Sequence, residues 1–389
     1  MLKSYLLERI ENWLAYKRWS SNRLPQVDPF LLDAYRERGL ERHYKNRLKR
    51  ARRCLETRPA TSLWTAYQIE TQEFDLAAGS KRLEAHNLEK RDQLLDAAVL
   101  SIKLRSACQT LATYKLKGEN AEIALLEECL ELAKQPTYSD RPEIRAYYLA
   151  CCMVLQPDEA EVIFKKFFQL LLEQLDVFPA DEQRDLLRLG INFCVGRANQ
   201  EQYEFLPASL ELYRLAIDRK LIYQGGEISP FTFNNIMGIA LRLGEIDWAE
   251  QFLLEQTDFL PSDQLGPLKA LNAARLSLAK KDYEGVLVAL REDDYRDFIQ
   301  QMNARVLKLK AYWGLELYHL LESHIRNTRA MLRRKRKTSY HVQNFKNLFD
   351  LSDQLLRLSP GQSKGREKLF HTISRTEPLL ERTWLLNQL

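Results

Sequence analysis

The stretch from Ser229 to Pro261, SPFTFNNIMGIALRLGEIDWAEQFLLEQTDFLP, constrains the fold of this chain more than any other. Ser229 can cap a helix, and Pro230 suits the first helical position because the N–H group that proline lacks would be unused there. Apolar residues then recur at helical spacing until Gly244, where a left-handed C-terminal residue is needed. A second amphipathic helix begins almost at once. So short a connection predicts two antiparallel helices in contact.

This helix pair resembles a tetratricopeptide (TPR) repeat. The pattern of that family has an aromatic residue early in the first helix, glycine at the turn, alanine early in the second helix and proline at the exit. Those places are filled here by Phe233, Gly244, Ala249 and Pro261. Met237 and Ala240 depart from the pattern, in which a small residue and a large aromatic are usual. The resemblance implies a TPR-like scaffold of stacked helix pairs and no particular chemistry.

The same unit recurs along the chain. Ala249 corresponds to Val286, 37 residues further on, and a period of about 34 to 40 residues is typical of helix–turn–helix repeats. We therefore predict an all-α protein, a right-handed α-solenoid of stacked antiparallel helix pairs with atypical terminal helices. Residues 1–80 would form an N-terminal helical cap with a basic helix, residues 81–297 the TPR-like repeats, and residues 298–389 a C-terminal cap.

The C-terminal part is predicted to contain one long helix over residues 298–336, followed by helices over 339–358 and 365–387. The stretch from Tyr318 to Lys337, with the aromatic residues Tyr340, Phe345 and Phe349 after it, is similar to bacterial helical-repeat proteins of unknown function. That resemblance covers the whole chain and implies a fold without an activity.

Composition supports an all-α protein of the cytoplasm. The chain has only 14 Gly and 13 Pro in 389 residues, too few for many strands and tight hairpins. No stretch approaches the roughly 18 apolar residues that span a bilayer, and Glu8, Arg9 and Glu11 interrupt the N-terminal apolar pattern, which argues against a secretory signal. The six cysteines lack CxxC spacing and are expected to be reduced core residues.

No motif predicts catalysis, a cofactor or a metal site. His319 and His324 are five positions apart, which places them about 140° apart on a helix, whereas two ligands of one ion need a spacing of three or four. The only glycine pair, Gly225–Gly226, is followed by Glu227, which would repel a phosphate group. We therefore expect a protein that binds rather than an enzyme.

Two basic clusters stand apart from the repeat pattern. In the basic helix predicted over residues 40–57, one face carries Arg42, Lys45, Lys49 and Arg53. The second cluster runs from Arg326 to Lys337 and includes Arg333, Arg334, Arg336 and Lys337. Cations at a helix C-terminus also favour the helix macrodipole without any further role. The alternatives are recognition of an acidic protein or of a nucleic-acid backbone.

These features favour a non-catalytic scaffold or adaptor that binds a protein or peptide in the groove of the solenoid. First helices line that groove in TPR-like stacks, so Tyr147, Tyr213 and Asn234 join the two basic clusters as candidate partner-binding residues. The alternative is a regulator that contacts nucleic acid, independently of sequence, through the basic helix over residues 40–57. Neither function calls for a membrane.

Overall fold

The computed structural model of the chain describes residues 6, 8–14, 29–57, 63–79, 87–117, 119, 121–200, 202–291, 295, 297–334, 340–358 and 363–389. Within these residues nearly all regular structure is helical, which confirms the all-α prediction. None of the described helices combines the length and the hydropathy needed to cross a bilayer. The chain divides into two compact units, residues 1–221 and residues 222–389. The segment boundaries predicted near residues 80 and 297 remain predictions from sequence character.

Unit 1 is built from α1 (8–14), α2 (Pro29–Glu37), α3 (Glu41–Thr57), α4 (Leu63–Gly79), α5 (Leu88–Lys117), α6 (Leu126–Ala133), α7 (Pro136–Ser139), α8 (Pro142–Leu155), α9 (Ala160–Gln174), α10 (Ala180–Ala198) and α11 (Leu206–Asp218). Successive helices are neighbours: α4 packs on α5, α5 on α8, α8 on α9, and α10 on α11. The thirty-residue helix α5 contacts α4, α6 and α8, because it extends past several shorter helices.

Unit 2 begins with a short antiparallel hairpin of β1 (Tyr223–Gln224) and β2 (Glu227–Ile228). Gly225 and Gly226 form its turn with φ of 63° and 90°, a conformation that glycine adopts without steric cost. The helices that follow are α12 (Pro230–Arg242), α13 (Ile246–Gln256), α14 (Leu265–Ala279), α15 (Tyr283–Ala289), α16 (Phe298–Gly314), α17 (Tyr318–Arg333), α18 (Tyr340–Leu356), α19 (Ser363–Arg375) and α20 (Arg382–Asn387).

The helix pair predicted from Ser229 to Pro261 is confirmed as α12 and α13. The Ser229 Oγ accepts a hydrogen bond from the Thr232 N–H at 3.2 Å, and Gly244 has φ of 77° at the turn. Phe233 is fully buried and Ala249 is fully buried as well. Because the cap, the turn residue and the apolar stripe all agree, this unit could be located from sequence alone.

The single helix predicted over residues 298–336 is wrong, because the structure divides it into α16 and α17. The chain turns after Gly314, where Glu316 adopts φ of 56° and the Leu317 N–H donates to the Tyr312 carbonyl at 3.0 Å. A Cβ atom at position 314 would lie only 2.4 Å from the ring of Tyr283. Close approach of that ring to the backbone therefore requires glycine at the end of α16.

The single helix predicted over residues 365–387 is also wrong. The structure ends α19 at Arg375 and begins α20 at Arg382. Pro378 lies between them and accounts for the interruption, because proline has no N–H group for an i→i−4 hydrogen bond and disfavours the helical conformation at the residue before it.

The core of unit 2 extends from its regular helix pairs to the end of the chain. Met302 and Leu309 on α16, Ile325 on α17, Phe349 on α18 and Leu385 on α20 belong to one buried cluster. A second cluster joins α14, α15 and α16. α16 therefore packs on one side against the helix pair before it and on the other against the C-terminal helices.

Candidate partner-binding site

Three polar residues recur at one spacing on α12, α14 and α16, which pack in series in unit 2. Asn234 on α12 and Asn272 on α14 are 38 residues apart. Lys310 on α16 follows Asn272 at the same spacing. Together with Arg275 on α14, they are referred to below as the polar row. Residues 38 positions apart thus lie on alternate helices that pack against one another.

The two asparagines and Arg275 form one hydrogen-bond network. The Asn272 Nδ2 donates to the Asn234 Oδ1 at 3.0 Å and to the Leu268 carbonyl at 2.9 Å. The Arg275 Nη1 donates to the Oδ1 atoms of Asn234 and Asn272, each at 3.2 Å. Asn272 is fully buried. Because buried amides need partners, this network fixes the orientation of the Arg275 guanidinium.

Lys310 pairs with a residue from the C-terminal segment. Its Nζ lies 2.6 Å from the Glu381 Oε2, and its side chain is only 13% exposed. The same ammonium group stands 5.8 Å from the ring centroid of Trp384, within the range of a cation–π interaction. A carboxylate is thus held at the α16 end of the polar row.

Arg275 is in a different electrostatic situation. Burial lowers the pKa of its guanidinium, and the Glu381 carboxylate raises it. Among the described residues, no carboxylate lies within ion-pair distance of Arg275, whose hydrogen-bond acceptors are neutral amides. Removal of a charge from water without a counter-ion is costly. The polar row therefore combines two cations with one nearby carboxylate.

Unit 1 carries a polar cluster of the opposite balance. Arg105 on α5 lies 3.2 Å from a Glu182 oxygen and 3.0 Å from an Asp185 oxygen, both on α10. The Tyr147 hydroxyl on α8 donates to the Glu182 Oε2 at 3.0 Å. Burial raises the pKa of Glu182, which Arg105 opposes. With acidic groups in excess around a single guanidinium, this cluster is suited to holding α5, α8 and α10 together.

The structure places the three groove candidates differently. Tyr147 and Tyr213 are buried, with 1% and 5% exposure, whereas Asn234 is half-buried within the polar row. Sequence reasoning named neither Arg275 nor Lys310 and did not connect Glu381 with them. A signal was available, since the 38-residue spacing from Asn234 leads to Asn272 and then to Lys310.

The basic stripe of α3 is accessible. Arg42, Lys45, Lys49 and Arg53 are exposed, while Tyr44, Leu48 and Ala51 on the opposite face are buried. The Lys45 Nζ forms a weak ion pair with the Glu41 Oε2, at 3.6 Å. Arg52, which lies outside the stripe, pairs with Glu73. The amphipathic pattern of α3 therefore directs the four predicted cations away from the core.

The second basic cluster is only partly described. Arg333 and Arg334 are exposed at the C-terminal end of α17, and Arg336 and Lys337 lie outside the described residues. Arg329 of the same cluster serves packing, because its Nε donates to the Asp350 Oδ1 and its Nη1 to the Asp353 Oδ2, both at 2.6 Å. This pairing fastens α17 to α18.

The two histidines considered for a metal site, His319 and His324, have different surroundings. His319 is exposed, whereas the His324 Nε2 is 2.8 Å from the Arg305 carbonyl and its ring contacts Tyr312. In the part of the chain that the structure describes, no three His, Cys, Asp or Glu side chains are grouped so that they could hold a metal ion.

Fold and site together define an all-α protein whose packed helices carry one cationic polar row and one exposed basic helix face. Compared with protein-family models, with curated proteins and with solved structures, the chain matches none of them.

Proposed function

We propose that this protein is a non-catalytic cytoplasmic adaptor, a right-handed TPR-like α-solenoid that binds an extended or helical segment of another protein. The bound segment would lie along α12, α14 and α16. The observation that carries the proposal is the polar row, in which hydrogen bonds join Asn234 on α12 to Asn272 and Arg275 on α14, while Lys310 at the corresponding position of α16 pairs with Glu381.

The arrangement suits a polypeptide better than a small molecule. Corresponding positions on neighbouring helices lie side by side, so they can contact successive residues of an elongated ligand. The hydrogen-bond donors of Arg275 and Lys310 supply direction, since a charged group held by neutral amides or an aromatic ring keeps a fixed geometry. Fixed polar groups of this kind give specificity.

Photo-crosslinking in native lysate tests the proposal. A p-benzoylphenylalanine placed at Asn235, which is exposed on α12 beside the row, should capture a discrete polypeptide that mass spectrometry identifies. The matched control carries the same group at Leu254 on α13, where the side chain is 75% exposed. Equal products from both positions, or no product at Asn235, would contradict the assignment of α12, α14 and α16 as the binding surface.

Reconstitution then connects the captured protein with the row. Purified partner should bind the wild-type chain, and Arg275→Gln and Lys310→Gln should each weaken binding by about tenfold or more, because a charge-assisted hydrogen bond contributes roughly 1.5–3 kcal/mol. Lys280→Gln serves as the control, since that lysine pairs with Glu250 on α13 at an exposed site.

A second candidate function is sequence-independent contact with nucleic acid through the exposed stripe of α3. Its support is the single cationic face formed by Arg42, Lys45, Lys49 and Arg53. Phosphate contacts of this type confer affinity without reading the base sequence. Four such contacts would give a slope of about −3.6 in a plot of log K against log salt on duplex DNA.

Salt titration of binding to random-sequence DNA and RNA separates the two candidates. Neutralising the four stripe residues to Gln should abolish binding at low salt, whereas neutralising Lys165 and Lys166 on the exposed surface of α9 should leave it nearly unchanged. If the wild-type chain has no measurable affinity at low salt, the nucleic-acid candidate is discarded.

A further inference from the structure

The side chain of Glu381 does not cap its own helix. It occupies the N-cap position of α20, but no hydrogen bond joins its side chain to the backbone of that helix. A non-glycine residue in the left-handed region costs conformational free energy, and Glu381 adopts φ of 58°. The carboxylate instead reaches Lys310 on α16.

Glu381 is therefore a carboxylate that the polar row binds within this chain. Its Oε2 is 2.6 Å from the Lys310 Nζ, and its charge acts on Arg275 on the neighbouring helix. The ring centroid of Trp384, one turn further along α20, lies 5.8 Å from the Lys310 Nζ. The segment around Glu381 thus approaches the row as a bound acidic peptide would.

The charge balance shows that this occupant does not complete the site. Lys310 acquires a direct counter-ion, whereas Arg275 has hydrogen bonds to Asn234 and Asn272 only from its Nη1. A guanidinium has five N–H donors and favours bidentate binding of a carboxylate. The position of Arg275 beside two amides therefore fits a second carboxylate, supplied by a ligand with neighbouring acidic residues.

We propose that the polar row is a carboxylate-binding subsite for an acidic polypeptide segment and that Glu381 occupies it in the absence of a partner. This inference rests on the proposed function, because it specifies the chemistry of the segment that α12, α14 and α16 bind. An acidic partner exchanges its own carboxylate for that of Glu381 at Lys310 and adds one at Arg275. Leu385 anchors α20 in the buried core, and Trp384 and Leu386 pack against it, so the exchange requires only the Glu381 side chain to move.

Fluorescence anisotropy with the full chain and fluorescein-labelled tetraglutamate tests this exchange. An internal competitor multiplies the apparent affinity of the peptide by the fraction of molecules in which the site is free. If Glu381 occupies the site in about 90% of molecules, the apparent affinity is reduced about tenfold. Glu381→Gln should therefore tighten binding by about tenfold. Adding Arg275→Gln or Lys310→Gln to that variant should remove the gain, while Lys310→Arg should retain most of it.

The matched control is Glu377→Gln, which alters a carboxylate of the same segment whose side chain is 83% exposed. It should leave affinity unchanged. Circular dichroism and urea unfolding of each variant identify any variant that fails to fold. If Lys310→Gln does not fold, Lys310→Arg still tests the role of the positive charge at that position. Binding that is unchanged or weakened in Glu381→Gln overturns the inference.

Inorganic phosphate at matched ionic strength provides the remaining arm. It should compete far less well than free tetraglutamate, and equal competition would overturn the carboxylate assignment in favour of a general anion site. If a partner captured at Asn235 binds the wild-type chain and Glu381→Gln with equal affinity, this inference is wrong and the adaptor function is unaffected. Failure to capture any partner would remove the adaptor function, whatever the peptide measurements show.

Discussion

The side-chain amide of Asn272 on α14 donates to the Asn234 Oδ1 on α12 across 3.0 Å, so two residues 38 positions apart in sequence share one hydrogen bond. Arg275 adds two further hydrogen bonds, because its Nη1 donates to the side-chain oxygens of both asparagines. α12 and α14 are thus connected by polar contacts as well as by their apolar faces, and the same contacts position Arg275, one of the two cations proposed to bind a partner.

Removing Asn272 should destabilise the chain. Asn272→Ala leaves the half-buried Asn234 acceptor and a donor of Arg275 with fewer partners, which costs about 1–3 kcal/mol. Urea unfolding measures the loss. Asn235→Ala, one residue from the network and exposed, should change the free energy of unfolding by no more than about 0.5 kcal/mol. Equal effects would show that the network does not stabilise unit 2.

Gly314 should not tolerate a side chain. In Gly314→Ala the new Cβ would lie 2.4 Å from the Tyr283 ring, and we expect a loss of about 1–3 kcal/mol from overpacking. Gly238→Ala on α12 is the control, because nothing lies within 4 Å of its Cβ position and alanine is the better helix former, by about 0.5–1 kcal/mol. The midpoint of thermal unfolding should therefore fall in Gly314→Ala and rise in Gly238→Ala.

If Tyr283 is the cause, shortening that side chain should relieve the strain. The double variant Gly314→Ala with Tyr283→Leu should lose less stability than the sum of the two single variants. Additive losses would indicate that Gly314 is required for the turn into α17 rather than for contact with Tyr283.

The buried cysteines should be unreactive while the chain is folded. The Cys108 Sγ lies 3.1 Å from the Cys151 Sγ, and this hydrogen bond and burial raise the pKa of Cys108. Burial raises the pKa of Cys194 to about 12. Since the thiolate is the nucleophile, Cys108 and Cys194 should react with a thiol reagent only after unfolding. Mass spectrometry of protein alkylated with and without urea identifies each site, and labelling of Cys108 or Cys194 in folded protein would contradict the prediction.

Glu143 should make stability depend on pH. Burial raises the pKa of this carboxyl group, so the folded chain holds its proton to a higher pH than the unfolded chain does. The resulting stabilisation is complete below the ordinary pKa of glutamate and is lost as pH rises through the folded pKa. Glu143→Gln lacks the ionised form and should gain stability over the wild type as pH rises. Parallel urea-midpoint curves between pH 4 and 8 would refute this.

Much of the secondary structure followed from local sequence. The break at Pro378 also has a local cause, whereas the contact between Gly314 and Tyr283 is revealed only by the packing. Ser229, Pro230 and Gly244 specify where α12 begins and ends, because caps and turns depend on a residue and its near neighbours. Residues 298–336 read as one helix because Gly314 is a single glycine within an otherwise helical pattern, which a helix can tolerate. The close contact that excludes a side chain at Gly314 involves Tyr283, which is 31 residues earlier.

The site divides in the same way. Alternation of basic and apolar residues in α3 was enough to predict which cations are exposed, because a helix with one buried face must present the other to solvent. Tyrosine is common in binding sites, yet the Tyr147 hydroxyl donates a hydrogen bond to Glu182 in the interior of unit 1. A tyrosine suits core and surface equally, and its own neighbours in sequence do not decide between them.

The sequence by itself determined that this protein is helical, where its best helix pair lies and which face of α3 carries exposed charge, since each depends on periodicity within a few turns. Only the tertiary structure decided that Asn234, Asn272 and Arg275 share hydrogen bonds and that Lys310 pairs with Glu381. Such contacts depend on how distant helices pack, and no local pattern in the chain contains that information.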